Sequence, residues 1–259
     1  MRLSVVQSTS SDFAISAERH SVKPEPTVFA VSAAVAPRHR PRTGVEADLV
    51  SRFLAALPIR FPTGRRVTLY QEPRLESGLP DIVFHIWNEH ATRNWRPERA
   101  SLLRDDLRLL QLIVESGEVS CDQLVSGYGR KVLRSIERLT AGALVREQAN
   151  TVSAVPLRSS FATSELIAVE AKVGRWSDVL RQAALNTWFA SLSFVLTATV
   201  PSASQISEAL EAGVGVCAWA GDGFVVIEGE RAGLPRSYAS WLFNEWSWRA
   251  WIAPGEVLK

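Results

Sequence analysis

Hydrophobic positions repeat with a period of two in some stretches of this chain and with a helical period in others. In Asp81–Trp87 the apolar residues Ile82, Phe84 and Ile86 share one face, which is typical of a strand. In Glu46–Leu57 the apolar residues recur every three to four positions, which predicts a helix. The same reasoning predicts further strands at Arg66–Tyr70, Leu166–Val173, Leu192–Thr199, Gly215–Trp219 and Phe224–Glu228, and further helices at Ser177–Ala190 and Gln205–Glu211. Strands that alternate with helices predict a mixed α/β layer architecture.

Residues 99–155 have a different pattern and are predicted to form a small inserted module. Leu102–Glu115 and Arg130–Ala141 have helical spacing, and Ser120 can cap a short helix between them. The segments 144–146 and 151–153 then read as two strands of a hairpin. Three short helices followed by a hairpin resemble a winged helix-turn-helix.

The two ends of the chain are less regular. Residues 1–44 are predicted to be a partly extended arm, with a strand near Thr27–Ala34. The C-terminal segment 238–259 is rich in tryptophan, with Trp241, Trp246, Trp248 and Trp251 close together. Such tryptophans can stack on unpaired bases, but dense clusters more often pack in a core or an interface. We expect packing here, with a homodimer contact through this segment as one form of it.

Composition narrows the function only slightly. The chain has 259 residues, a formal net charge of +2 and two cysteines far apart in sequence. These features predict a reduced, cytoplasmic protein and give no spacing for structural zinc. No apolar run approaches the roughly 20 residues that a membrane-spanning helix needs, so no membrane partner is expected.

The stretch Glu170-Ala171-Lys172 is the strongest chemical signal in the sequence. Glu170 and Lys172 are two residues apart on a predicted strand, so they point to the same face, while Ile167, Val169, Ala171 and Val173 are expected on the apolar face. Charges on a largely apolar strand need a compensating partner. A divalent metal ion is one such partner, and a simple ion pair at a strand end is the other.

The order of the elements and their motifs resembles the PD-(D/E)XK nuclease superfamily. Pro80-Asp81 opens one predicted strand, Glu170-Ala171-Lys172 lies on another, and a helix and a strand follow. Glu46 matches an acidic residue of the first helix, and Gln182 matches a glutamine that some members place on the helix after the Glu-x-Lys strand. The resemblance covers residues 45–98 and 156–230 of a domain expected to span 45–98 and 156–259. It implies a restriction-endonuclease-like mixed central sheet flanked by helices.

One departure from the superfamily concerns the spacing of the two motifs. Asp81 and Glu170 are 89 positions apart, whereas members usually join these strands by a short hairpin. The winged-helix-like module occupies most of the gap, and a folded insert with close termini adds little loop-closure cost.

The resemblance implies metal-dependent hydrolysis of phosphodiester bonds in DNA. Asp81, Glu170 and the backbone carbonyl of Ala171 would bind Mg²⁺ or Mn²⁺. Lys172 would orient or help deprotonate the attacking water and would stabilise the charge that builds on the phosphate. Glu46 would bind a second metal ion or hold the water network, or would simply favour the helix N-terminus.

The sequence indicates a role in the site less strongly for the other polar side chains near these motifs. Gln182 would contact the phosphate or a metal-bound water. Asp178 and Asn186, on the same stripe, are more readily explained as a solvated face, and His85 as a packed strand histidine. Asp48 replaces Glu46 if the register slips.

Five basic residues of the inserted module are candidates for DNA binding: Arg130, Lys131, Arg134, Arg138 and Arg146. A basic third helix suits the major groove and its flanking phosphates. The alternative is a protein-docking or dimerisation module with a solvated basic face.

The sequence therefore predicts a DNA endonuclease with an inserted DNA-binding module. Two rivals remain. One is a catalytically silent DNA-binding regulator, and the other is a subunit of a transposition or phage-defence assembly that cuts only with partner subunits.

Overall fold

The structure is a computed structural model that describes residues 44–76 and 78–252, together with the backbone of the strand at 29–31. Its strands are β1 Phe29–Val31, β2 Arg66–Gln71, β3 Ile82–Trp87, β4 Glu118–Ser120, β5 Val145–Gln148, β6 Thr151–Ala154, β7 Thr163–Lys172, β8 Leu192–Thr197, β9 Gly215–Trp219 and β10 Phe224–Ile227. Its helices are α1 Val45–Ala56, α2 Arg104–Ser116, α3 Cys121–Tyr128, α4 Val132–Ala141, α5 Leu157–Ser160, α6 Trp176–Asn186, α7 Ala203–Glu211 and α8 Tyr238–Ile252.

A mixed sheet forms the centre of the molecule. Six strands lie in the order β2-β3-β7-β8-β9-β10, and the short β1 is added in parallel beside β2. The pairs β2–β3, β3–β7 and β9–β10 are antiparallel, whereas β7–β8 and β8–β9 are parallel. The predicted α/β architecture is therefore confirmed, and β3 and β7 are neighbours although a whole module separates them in sequence.

Each face of the sheet is covered by helices because its strands are apolar on both sides. On one face, Phe53 of α1 packs in the cluster that contains Phe84 of β3 and Val169 of β7. On the other face, Trp241 of α8 belongs to the cluster that contains Val83 of β3 and Ala168 of β7. A third cluster joins α6 and α7 to β8 and β9. The double coverage explains why every residue of β3 is buried.

The inserted module consists of α2, α3 and α4 with a three-stranded antiparallel sheet in the order β4-β6-β5. Ser120 caps α3 as expected, since its hydroxyl accepts a hydrogen bond from the backbone N–H of Asp122. The short β4 was not predicted. The module's core is not separate, because Leu110 of α2 and Ile136 of α4 lie in the same apolar cluster as Trp241 of α8. The module and the central sheet thus share one core through α8.

A buried ion pair also joins the connection before the module to α8. Arg99 donates from Nε to Glu245 Oε2 at 3.1 Å, and its Nη2 also donates to Glu245 Oε1. Both side chains are 1% exposed. Arg99 Nη2 further donates to the carbonyl of Ser160 at 2.9 Å, and its guanidinium lies over the ring of Trp95. Buried charges of this kind are tolerated only when paired and hydrogen-bonded.

The tryptophan-rich segment is mostly one buried helix. Trp241, Trp246 and Trp248 are buried within the chain, which confirms the packing interpretation. These three rings are therefore not available for the expected homodimer contact, and Trp251, 44% exposed, is the tryptophan of this helix that faces solvent. Residues 253–259 and most of the predicted N-terminal arm lie outside the described residues. Among the described residues, none of the helices is long and apolar enough to cross a membrane.

One strand end differs from the prediction. Val173 was expected on the apolar face of its strand, but β7 ends at Lys172 and Val173 is exposed. The backbone turns there, because Gly174 has a φ of +82° and Arg175 a φ of +49° before α6 begins. A left-handed backbone cannot continue the strand, so the alternation stops one residue earlier than the sequence suggested.

Candidate active site

Asp81 and Glu170 lie side by side where β3 begins. Ile82 of β3 pairs with Val169 of β7 in an antiparallel register, so the residue before Ile82 falls opposite the residue after Val169. Directly opposite residues on antiparallel strands have their Cβ atoms about 4.5–5.5 Å apart. The sheet therefore brings these two acidic residues into contact range across a sequence gap of 89 positions.

Hydrogen bonds on both sides hold Asp81 in place. Its Oδ2 accepts a hydrogen bond from the backbone N–H of Ala171 at 2.7 Å. Its carbonyl accepts one from the backbone N–H of Glu72 at 3.1 Å, which extends the β2–β3 ladder by one step. Asp81 is only 8% exposed. The carboxylate is thus fixed against the middle residue of the Glu-x-Lys stretch.

Glu170 is held from the helix that follows its strand. Its Oε1 accepts a hydrogen bond from Nδ2 of Asn186 at 2.7 Å, at the last residue of α6. Glu170 is 6% exposed, and Asn186 is also buried. A donor from a neutral amide orients the carboxylate without neutralising its charge.

Lys172 and Glu46 complete the cluster at its more open side. Lys172 Nζ lies 4.0 Å from Oε1 of Glu46, and both side chains are partly exposed. The same Glu46 oxygen accepts a long hydrogen bond of 3.5 Å from the backbone N–H of Val173. Glu46 is in the first turn of α1, where a negative charge also favours the helix dipole. The first turn of α1 therefore meets the end of β7 beside the two buried carboxylates.

The charges of this cluster favour a cation. The carboxylates of Asp81 and Glu170 are largely removed from water, and at the more open side the carboxylate of Glu46 lies near the ammonium group of Lys172. Adjacent buried carboxylates raise each other's free energy when both are ionised. In the part of the chain that the structure describes, no three His, Cys, Asp or Glu side chains converge as a ready-made metal cage.

The helix after the Glu-x-Lys strand contributes a different residue from the one expected. Gln182 is exposed on α6, whereas Asn186, which was interpreted as part of a solvated face, is buried against Glu170. The burial of Asn186 could be predicted from helical spacing, because Asn186 lies seven positions after Val179 and three after Ala183, both of which are buried. That spacing places it on the apolar face of a helix. Asp178 is half-buried, one turn before Gln182.

His85 is a structural histidine, as expected. Its Nδ1 lies 2.5 Å from Ser247 Oγ, and its Nε2 lies 2.7 Å from Thr163 Oγ1. Complete burial lowers its pKa from 6.5 to about 3, so the ring is neutral at ordinary pH. Its partners on α8 and β7 are neutral hydroxyls, which satisfy the ring without charging it.

The basic residues of the module divide into two groups. Arg130, Lys131, Arg134 and Arg146 are exposed. Arg138 instead forms a double hydrogen bond with the buried Asp106 of α2, from Nε at 2.7 Å and from Nη2 at 2.6 Å, and this bond raises its pKa. Asp106 also accepts from the N–H of Leu103 at the start of α2. Arg138 thus has a clear role inside the module, which its position on the basic helix did not reveal.

Known proteins add nothing to this assignment. We compared the chain with protein-family models, with curated proteins and with solved structures, and none of the three comparisons found a match. The candidate active site therefore stands on its own geometry: two buried carboxylates on adjacent strands, with a lysine and a third acid at the rim.

Proposed function

We propose that this protein is a metal-dependent nuclease that hydrolyses phosphodiester bonds in DNA. The observation that carries the proposal is the register of β3 and β7, in which Ile82 pairs with Val169, so that Asp81, directly before β3, falls opposite Glu170. Two acidic side chains 89 positions apart meet on neighbouring strands, with Lys172 on the same strand as one of them. A surface ion pair would require neither the burial nor the convergence.

The residues present fit Mg²⁺ or Mn²⁺. Hard divalent ions take oxygen ligands, and Mg²⁺ is commonly held by one or two carboxylates while it keeps several waters and binds substrate phosphates. Asp81 and Glu170 would supply the carboxylates, and the Ala171 carbonyl or Glu46 would add a further oxygen. Such an ion supplies a more acidic bound water and a polarised phosphoryl oxygen.

The protein's own groups have distinct parts in this proposal. Asn186 and the Ala171 N–H donate hydrogen bonds to the two carboxylates and would orient them for a metal ion and a substrate. Lys172 is partly exposed and 4.0 Å from Glu46, a loose pairing that leaves its ammonium able to face a phosphate. There it would orient the attacking water and stabilise the charge that develops on the phosphoryl oxygens.

The arrangement of the chain supports the same proposal. The order α1, β2, β3, β7, α6 and β8, with the first three strands antiparallel and the last pair parallel, agrees with the element order that suggested the PD-(D/E)XK resemblance. The order α2, β4, α3, α4, β5 and β6 in the module between β3 and β7 supports the winged helix-turn-helix that the sequence predicts. Its exposed Arg130, Lys131, Arg134 and Arg146 would contact DNA phosphates.

The test is cleavage of supercoiled plasmid DNA by the purified protein with Mg²⁺ or Mn²⁺. Asp81→Asn and Lys172→Ala should each reduce the nicking rate by about 100-fold or more, because the first removes a metal ligand and the second removes the charge that stabilises the reacting phosphate. Asp222→Asn, in the exposed turn before β10, is the matched control and should cut like the unmodified chain. Equal nicking by Lys172→Ala would refute the nuclease proposal.

A second measurement separates the rival functions. If the unmodified chain binds DNA and gains thermal stability from Mn²⁺ but does not nick, the result favours a subunit that cuts only with partners. If it binds DNA and no metal ion stabilises it, the result favours a catalytically silent regulator.

A further inference from the structure

A pocket of about 430 Å³ lies at the far end of β3 from Asp81, between the turns after this strand and the end of α8. Its walls include Trp95, Trp248, Trp251 and Ile252, and its polar lining includes His90 and Arg93. This size is within the usual range for small-molecule sites, roughly 300–1,000 Å³. Three tryptophans around one pocket are an unusual concentration in a chain with nine.

Arginine guanidinium groups lie over two of the tryptophan rings. The guanidinium of Arg99 lies 3.4 Å from the ring centroid of Trp95, and that of Arg66 lies 3.6 Å from the centroid of Trp251. Trp95 Nε1 also donates to the carbonyl of Ser159 at 2.9 Å. These contacts restrain the two rings, and a restrained side chain loses less conformational entropy when a ligand binds.

The polar part of the pocket favours an anion. Arg93 and His90 are exposed, and Arg93 Nη2 lies 2.9 Å from His90 Nδ1. Glu89, the acid in the lining, is paired with Arg66. A flat aromatic group with an attached anion therefore fits the pocket better than an aliphatic or cationic ligand. A nucleotide has this combination, since its base stacks on aromatic rings while arginine binds its phosphate.

We propose that this pocket binds an unpaired nucleotide of a single-stranded DNA segment. The proposal rests on the proposed function, because it names an unpaired strand as part of the substrate. The six residues of β3 span about 20 Å, so the pocket would hold the single-stranded DNA about that far from the cleavage site. Paired bases cannot enter, because their faces are already stacked within the duplex. The pocket would thus favour substrates with a single-stranded region over blunt duplexes.

The experiment is binding without cleavage, by fluorescence anisotropy of labelled oligo(dT) and of a blunt duplex of equal length in EDTA. Loss of base stacking typically costs about 1–3 kcal/mol per base, so Trp251→Ala should weaken oligo(dT) binding by about fivefold or more. Arg93→Ala should weaken it and reduce its salt dependence. Trp188→Ala, at a partly exposed tryptophan outside the pocket, is the control and should bind like the unmodified chain.

The outcomes separate this inference from the nuclease proposal. Unchanged oligo(dT) affinity in Trp251→Ala, with the fold confirmed by circular dichroism, overturns the nucleotide site even if the protein cuts DNA. If the protein prefers oligo(dT) and Trp251→Ala removes this preference, but the protein never nicks DNA, the nucleotide site is supported and only the nuclease proposal is refuted. An equal loss of affinity for oligo(dT) and for the blunt duplex in Trp251→Ala also overturns the inference.

Discussion

The buried pair Arg99–Glu245 provides a sharp test of how the module is attached to the sheet. Arg99 precedes α2, and Glu245 lies in the middle of α8, the helix that contributes to the core of both parts. Glu245→Gln keeps the size of the side chain and one hydrogen-bond acceptor but removes the charge. The guanidinium then remains buried without a counterion.

The expected loss of stability follows from burial. Both side chains are 1% exposed, and breaking a buried pair by removal of one partner costs about 3–5 kcal/mol. The Arg175–Asp178 pair is the matched control, since its side chains are 81% and 43% exposed and 3.8 Å apart. Exposed pairs of this kind contribute about 0–1 kcal/mol. Asp178→Asn should therefore change the free energy of unfolding by much less than Glu245→Gln.

Urea unfolding, followed by circular dichroism and by tryptophan fluorescence, measures the difference. The double variant Arg99→Met with Glu245→Leu should be less destabilised than the sum of its single variants, because it removes both charges together. Both probes should report one transition, since the module and the sheet share one core. Additive losses in the double variant, or equal losses in Glu245→Gln and Asp178→Asn, would refute this reasoning.

Three further predictions test other parts of the structure. Burial lowers the pKa of His85 from 6.5 to about 3, so below pH 6.5 this histidine is protonated in the unfolded chain but not in the folded protein, and the folded protein loses stability. The free energy of unfolding that is lost between pH 7 and 4.5, measured by urea unfolding, should therefore be about 2–3 kcal/mol smaller in His85→Gln than in the unmodified chain. An equal loss in both proteins would contradict the assignment of His85 as a buried neutral histidine. Arg138→Ala should lower the melting temperature, because it leaves the buried carboxylate of Asp106 without its charged partner. Arg134→Ala should instead leave the melting temperature unchanged and weaken DNA binding in a filter assay. If Arg134→Ala lowered the melting temperature and Arg138→Ala weakened only DNA binding, the structural role would belong to Arg134 and the DNA-binding role to Arg138. Asn186→Leu should raise the Mg²⁺ concentration needed for half-maximal nicking by roughly tenfold, as removal of a group that orients a metal ligand does, whereas Gln182→Ala on the exposed side of α6 should have no such effect.

The sequence was sufficient for the local structure wherever periodicity and end signals agreed. The helix expected at Glu46–Leu57 is α1, Val45–Ala56, and the strand expected at Asp81–Trp87 is β3, Ile82–Trp87. Local patterns predict these elements because burial on one face or two imposes a period on the chain. They did not predict β4, whose three residues are too few to show a period.

The roles of individual polar residues depended on partners far away in sequence. Arg138 looks like its exposed neighbours until Asp106, 32 positions earlier, is placed beside it. His85 is explained only by Ser247 and Thr163, which come from two other elements. A sequence pattern reports which face a side chain occupies, but the pattern cannot report which groups from other elements meet that face.

The candidate active site shows the same division between sequence and tertiary structure. The sequence by itself determined that Glu170 and Lys172 share one face of a strand, because side chains alternate along any strand. Only the tertiary structure placed Asp81 opposite Glu170, since strand pairing is decided by the whole sheet and by the module that folds between the two strands. It also decided that Asn186, rather than Gln182, contacts Glu170, because the packing of α6 against β7 selects the face of the helix that is buried.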